Sequence, residues 1–115
     1  MHSISLEKES HAVIVVASGE LDAYVEDDLV GIFKETGREE RIVVDLTGVS
    51  FLDSTALGIL VRAVREVGGR GGEIRIVLPG GTARRIFEIT TLDRVLPVAD
   101  SRAQALADLD GSQPA

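Results

Sequence analysis

The stretch Val43-Val44-Asp45-Leu46-Thr47-Gly48-Val49-Ser50-Phe51-Leu52-Asp53-Ser54-Thr55-Ala56-Leu57-Gly58 decides the fold. An apolar strand, Ile42 to Leu46, runs into a short turn, and the turn opens a helix. Asp53, Ser54 and Thr55 are good residues for that opening, because their side-chain oxygens can accept from the unpaired N–H groups of a first helical turn. A helix N-terminus also favours negative charge. A hydroxyl held there, at the exit of a strand, is a suitable place to put a phosphate.

Working back from this stretch, Ile4 and Leu6 alternate with polar residues as a strand facing a core on one side. Glu9-Ser10-His11 turns the chain, and Ala12 to Ala17 reads as a buried second strand. Asp22 is an N-cap for a helix over roughly 23–36, with Gly37 as its stop. Tyr24, Val25, Leu29, Ile32 and Phe33 recur along it at near-helical spacing.

Working forward, the helix opened at Asp53-Ser54 runs to about Val67 and ends at Gly68-Gly69. Leu57, Leu60, Val61 and Val64 cluster on one side of it, at about 100° per residue. Ile59 falls almost opposite, in a stripe with Thr55, Arg62 and Glu66, and Gly58 lies beside Ser54. An outward Ile59 next to a small Gly58 reads as a place where a partner backbone can approach. Ile74 to Leu78 forms the next strand, and Pro79-Gly80-Gly81-Thr82 leads to a third helix over about 83–90. Val95 and Leu96 make a short last strand ended by Pro97, and Asp100-Ser101 cap a final helix reaching about Leu109.

Strands alternating with helices imply right-handed crossovers and a parallel sheet. The first two strands are too close for a crossover and should form a hairpin. The expected object is one α/β domain over 1–110, mostly parallel with an antiparallel N-terminal edge strand and about four flanking helices. Residues 111–115 read as a flexible tail.

With 115 residues, 44% of them hydrophobic and 27% charged, the chain has the balance of a soluble globule. Aromatics are only 3%, so Val, Ile, Leu and Ala must build the core. The formal charge of −7 argues against direct contact with nucleic acid or an anionic membrane. The absence of cysteine excludes disulfides, thiolate catalysis and thiolate metal sites. The longest apolar run, Ala12 to Ala17, is far below the roughly 20 residues that span a bilayer. Met1 to Glu9 does not read as a secretory signal, so a cytoplasmic protein is expected.

Ligand and partner sites in open α/β sheets lie where strands end and helices begin. Two such junctions stand out, Gly19-Glu20-Leu21-Asp22 and Phe51-Leu52-Asp53-Ser54-Thr55. If their strands are parallel neighbours, Asp22 and Ser54 share one edge. As plain chemistry, both aspartates read first as helix caps, and Asp45 as a local hydrogen-bond acceptor. His2 and His11, the two histidines, lie in the first strand and its turn, with no evident route to Ser54 as a catalytic base. No carboxylate spacing singles out a catalytic pair or a metal cage, and no cofactor is implied. Gly68-Gly69-Arg70-Gly71-Gly72 follows a helix and precedes a strand, the reverse of a phosphate-cradling loop. Gly80-Gly81-Thr82 has the right order but lacks the Gly-Lys-Ser/Thr chemistry.

The ordered blocks Gly19 to Asp22, Ile42 to Leu46, Phe51 to Gly58 and Ala83-Arg84-Arg85-Ile86-Phe87 resemble the STAS family, the sulphate-transporter and anti-sigma-factor-antagonist domains. The likeness spans roughly Ile4 to Leu109 and is closer to the free-standing bacterial anti-sigma factor antagonists. It implies the α/β fold above and a partner that is both anti-sigma factor and serine kinase. Binding that partner would free a sigma factor. It also implies Ser54 as the phosphoacceptor, Asp53 as its motif neighbour, Asp22 as part of the docking surface, and a PP2C-type phosphatase that restores the active form. Thr55 is a second hydroxyl beside the first. Ala56 stands where many such antagonists have Gly, a change that could limit close approach. Two other roles stay open: a scaffold of the same fold that binds its partner without phosphorylation, and a small-ligand or nucleotide-binding domain. The sequence is silent on oligomeric state.

Overall fold

The computed structural model describes residues 2–78, 80–89 and 96–111. Strands β1 (His2–Glu9) and β2 (Ala12–Leu21) form an antiparallel hairpin, turned at Ser10 with φ 56°. The chain then alternates α1 (Glu26–Glu35), β3 (Arg41–Leu52), α2 (Ser54–Gly69), β4 (Glu73–Val77), α3 (Thr82–Ile89), β5 (Val98–Ala99) and α4 (Arg102–Gly111). The five-stranded sheet has the order β1-β2-β3-β4-β5, and every pair after the hairpin is parallel. This is the single α/β domain expected from the sequence.

A strand order that steps in one direction, with right-handed crossovers, puts all the connecting helices on the same face. Side-chain parity follows this. Ile42, Val44 and Leu46 of β3 point into the larger core with Leu29, Leu60 and Phe87 from α1, α2 and α3. Val43 points the other way, with Ile14 and Val77, under Ala105 and Leu109 of α4. The near-continuous apolar run of β3 therefore reflects burial on both faces.

β2 and β3 extend beyond the expected Ala17 and Leu46, to Leu21 and Leu52. β4 pairs with β3 only as far as Asp45, so the outer half of β3 pairs with β2 alone. Thr47, Gly48, Ser50 and Phe51 are exposed there, which removed the apolar pattern a sequence reading depends on. Two register shifts, at Val16/Ser18 and Gly19/Glu20, bend this ribbon. Gly19 has φ 82°, a conformation that suits glycine. A Cβ on Gly48 would come within 2.9 Å of the Ser18 Cβ, so only glycine lets the strands approach.

The last strand corrects the expectation at Leu96 and Pro97. Pro97 does not end it; its carbonyl accepts from Ile76 N at 2.8 Å and opens the strand Val98–Ala99. Proline is tolerated at a strand's first position, where its missing donor is not needed. Leu96 is buried in the larger core. Val95, the expected helix end at Thr90 and the tail over 112–115 lie outside the described residues. Gly111, read with the tail, closes α4.

α4 is fastened by charge. Asp45 is 7% exposed in β3 and accepts from Thr47 N at 2.9 Å and from the Thr47 hydroxyl. Arg102, in the first turn of α4, donates to Asp45 through Nε at 2.9 Å and reaches Glu7 and Glu9 of β1 at 2.9 and 3.2 Å. Asp45 is thus more than the local acceptor expected from sequence. It joins α4 to the sheet centre, and Arg102 carries the tie to the edge strand. Burial pushes the Asp45 carboxyl up, but the Thr47 and Arg102 hydrogen bonds outweigh it and hold it below its usual value. Ser101 Oγ caps α4 by accepting from Gln104 N at 3.1 Å, and Gln104 Oε1 accepts from Asp100 N at 3.1 Å.

Arg102→Met leaves the Asp45 carboxylate buried without its cation and is expected to cost about 2 kcal/mol in chemical denaturation. An aspartate held below its unfolded value, about 3.9, contributes stability that is complete above that value. That contribution disappears as pH falls through the lower folded value. The wild type should therefore lose stability below about pH 4 with a steeper slope than Asp45→Asn, as denaturation midpoints across that range will show.

Candidate functional site

The two strand-to-helix junctions lie side by side. Leu21 at the end of β2 is the register partner of Leu52 at the end of β3, and Asp53 N donates to the Leu21 carbonyl at 3.1 Å. Asp22 and Asp53 are the next residues on each strand, so the expectation that Asp22 and Ser54 share an edge matches this pairing.

Each aspartate caps its own turn. Asp22 accepts from Tyr24 N at 3.0 Å at the head of a 3-10 turn, Ala23–Val25, that leads into α1. Asp53 accepts from Ala56 N at 3.0 Å, and its carbonyl accepts from Leu57 N at 3.0 Å. Capping of α2 therefore falls to Asp53 alone. Ser54 is the first helical residue, exposed, with its hydroxyl outside the cap bond. Thr55, at the second position, is half-buried. Helix geometry gives the N–H groups of these first positions no intrahelical acceptor.

Ile59 is not on this surface. It is 6% exposed and belongs to the larger core, beside Val30 and Phe33 of α1. The buried arc of α2 is Ala56, Ile59, Leu60, Ala63 and Val67, while Leu57, Val61 and Val64 are half-buried on its flank. Weighting the helix by its large side chains placed the arc too far round, because two alanines form its centre and α1 covers the side that Ile59 faces. Ala56 is fully buried, so its methyl leaves the surface unchanged. Gly58 is exposed, with open space where a Cβ would stand.

Two aromatic residues that the sequence reading did not assign to the site stand at this edge. Tyr24 is 93% exposed and Phe51 is 45% exposed. Tyr24 was expected in the apolar stripe of the first helix. The 3-10 turn ends the helical period at Glu26, and Val25 and Leu29 alone from this segment are fully buried. The signal was available: Tyr24 is one residue, about 100°, behind the Val25–Leu29–Phe33 spacing. Phe51 is the register partner of the exposed Glu20.

The edge is acidic. Glu20, Asp22, Glu26, Asp27, Asp28 and Asp53 lie on the two junctions and the first turn of α1. Part of this suits the helix, since carboxylates in a first turn favour its dipole. His2 meets Asp28 at 3.0 Å; among the described residues, the other five have no ion pair.

Elsewhere, an open cleft of about 650 Å³ runs along Gly80, Gly81, Arg84 and Arg85. Arg84 is engaged internally, donating to the Leu78 carbonyl at 2.7 Å and Asp100 at 3.0 Å. Among the described residues, no group of three or more His, Asp or Glu could hold a metal, and no helix is long and apolar enough to cross a membrane.

A small mixed sheet whose exposed chemistry is gathered at the ends of two adjacent parallel strands defines a one-domain α/β module. Residues 3–105 match the STAS domain, and the chain belongs to that family. It is similar to the anti-sigma F factor antagonist of Paenibacillus polymyxa, 27% identical over 113 residues, covering 94% of this chain and 97% of the relative. Similarity to the anti-sigma-B factor antagonist of Listeria monocytogenes is 31% over 94 residues, covering 80% and 82%. The crystal structure of an anti-sigma factor antagonist from Mycobacterium paratuberculosis superposes with a TM-score of 0.86 at 26% identity, covering 96% of this chain and 95% of that one.

Replacing Asp53 by Ala should cost about 1 kcal/mol, the ordinary worth of a cap. Ile59→Ala should cost about 3 kcal/mol as a core truncation. Denaturation curves of the two variants separate these roles, and an Ile59→Ala midpoint equal to wild type would return that residue to the surface.

Proposed function

We propose that this protein is an anti-sigma factor antagonist. It occupies an anti-sigma factor that is also a serine kinase, so that a sigma factor is freed, and phosphorylation of Ser54 ends the association. Asp22, Asp53, Thr55 and Gly58 surround Ser54 as the docking edge, and a PP2C-type phosphatase removes the phosphate. It works by binding rather than by catalysis, in the cytoplasm.

The observation that carries this reading is the division of labour between Asp53 and Ser54. The cap that holds α2 comes from the aspartate, so an exposed hydroxyl remains beside it with no structural duty. A kinase can draw the Ser54 proton and transfer the γ-phosphoryl group of ATP to its oxygen, releasing ADP, without unmaking the helix. The product carries about −1.5 to −2 charges. The unpaired N–H groups and dipole of α2 ease that charge within the fold. Asp53 and Asp22 do the opposite toward a partner, since they already make the edge negative. The modification therefore changes charge and bulk locally and leaves the sheet in place.

Incubation with anti-sigma factor kinases and ATP, followed by mass spectrometric mapping, tests this. The expected result is one phosphate on Ser54, absent in Ser54→Ala, with affinity for the kinase reduced about 100-fold or more by the modification. Phosphate on Thr55 would move the acceptor by one residue. Binding without modification would replace the switch by constitutive scaffolding.

A further inference from the structure

We propose that Tyr24 is the seat for a cationic side chain of the partner, an arginine stacked on the phenol ring and held by the carboxylates around it. This rests on the docking reading above and extends it to a residue that neither cap nor hydroxyl accounts for.

The first support is where the aromatic rings are placed. The chain has three Phe, one Tyr and no Trp. Phe87 is fully buried in the core, whereas Tyr24 and Phe51 stand exposed at the junction edge. A chain so poor in aromatics leaves a large ring 93% exposed, outside the core it could have helped to fill. Exposed single apolar residues are common and by themselves carry nothing, so the surroundings must decide.

Those surroundings are fixed and of one sign. The backbone beneath the ring is held by the bond from Tyr24 N to Asp22 and by Val25, 1% exposed, which anchors the 3-10 turn in the core. Ordering the ring against a partner thus costs little backbone entropy. Within four residues on either side the charged groups are Glu20, Asp22, Glu26, Asp27 and Asp28, all acidic. Of these, Asp28 alone meets a basic side chain, His2.

A purely apolar slot in a partner would have to strip water from these carboxylates without replacing it, which is costly. An anionic partner, including a phosphate backbone or an acidic membrane, is repelled. A guanidinium answers both demands. Its planar face stacks on the negative face of an aromatic ring, and its N–H fork pairs with carboxylates.

The test uses the anti-sigma factor that binds the intact wild-type protein, with affinities measured by titration for Tyr24→Phe, Tyr24→Leu and Tyr24→Ala. Tyr24→Phe keeps the ring and should stay within about threefold of wild type, while Tyr24→Leu and Tyr24→Ala should each weaken binding about tenfold or more. Unchanged denaturation midpoints will show that the fold is intact. At saturating kinase, Tyr24→Ala should still accept phosphate on Ser54, so loss of affinity and loss of the acceptor are read separately. Wild-type affinity in Tyr24→Ala overturns the proposal, and so does wild-type affinity in Tyr24→Leu, which would make the seat merely apolar. A wild-type protein that binds no anti-sigma factor overturns the functional reading and this proposal together.

Discussion

The parallel pairing of β2 with β3 out to Leu21 and Leu52 is the constraint on which the site depends. β4 leaves β3 at Asp45, so beyond that point β2 and β3 alone carry the sheet's side of the larger core, through Ala17, Leu21, Leu46 and Leu52. The added ribbon levels the two strand ends and hands each helix its capping aspartate at the same height. The bond from Asp53 N to the Leu21 carbonyl then locks one junction onto the other. Gly48 makes the ribbon possible by letting Ser18 come close, and Gly19 supplies the bend. These glycines act on the site through geometry, without touching it.

Much of this was legible in the sequence because the physics there is local. The caps at Asp22 and Asp53 follow from the hydrogen-bonding reach of a short carboxylate, and the two-faced burial of Ile42 to Leu46 follows from a near-continuous apolar run. What escaped was tertiary. Ile59 faces α1, a neighbour that no periodicity of α2 reveals, and the buried arc turns on Ala56 and Ala63, which weigh little in a hydrophobic pattern. Pro97 read as a stop because its missing donor is visible in sequence, whereas its accepting carbonyl depends on where Ile76 lies. The Arg102 cluster joins residues from β1, β3 and α4, so only the assembled sheet brings them together.

That cluster also stands apart from the junction edge. α4 is held on one face of the sheet by Arg102, on carboxylates that belong to β1 and β3. The junction edge has its own acidic set, which among the described residues is nearly free of cations. Carboxylates inside the fold have been neutralised and those at the edge have not. The carboxylates of the edge therefore meet solvent and any incoming surface with their charge nearly uncompensated, where it can steer association.

The scarcity of aromatic residues has one more consequence. Tyr24 is the single tyrosine and there is no tryptophan, so tyrosine emission from the whole protein comes from one ring on the 3-10 turn before α1. The molecule carries a built-in optical reporter at its junction edge, with no background from the core. A tryptophan-free binding domain would report the arrival of another surface, or a change in charge nearby, without a label or an engineered residue.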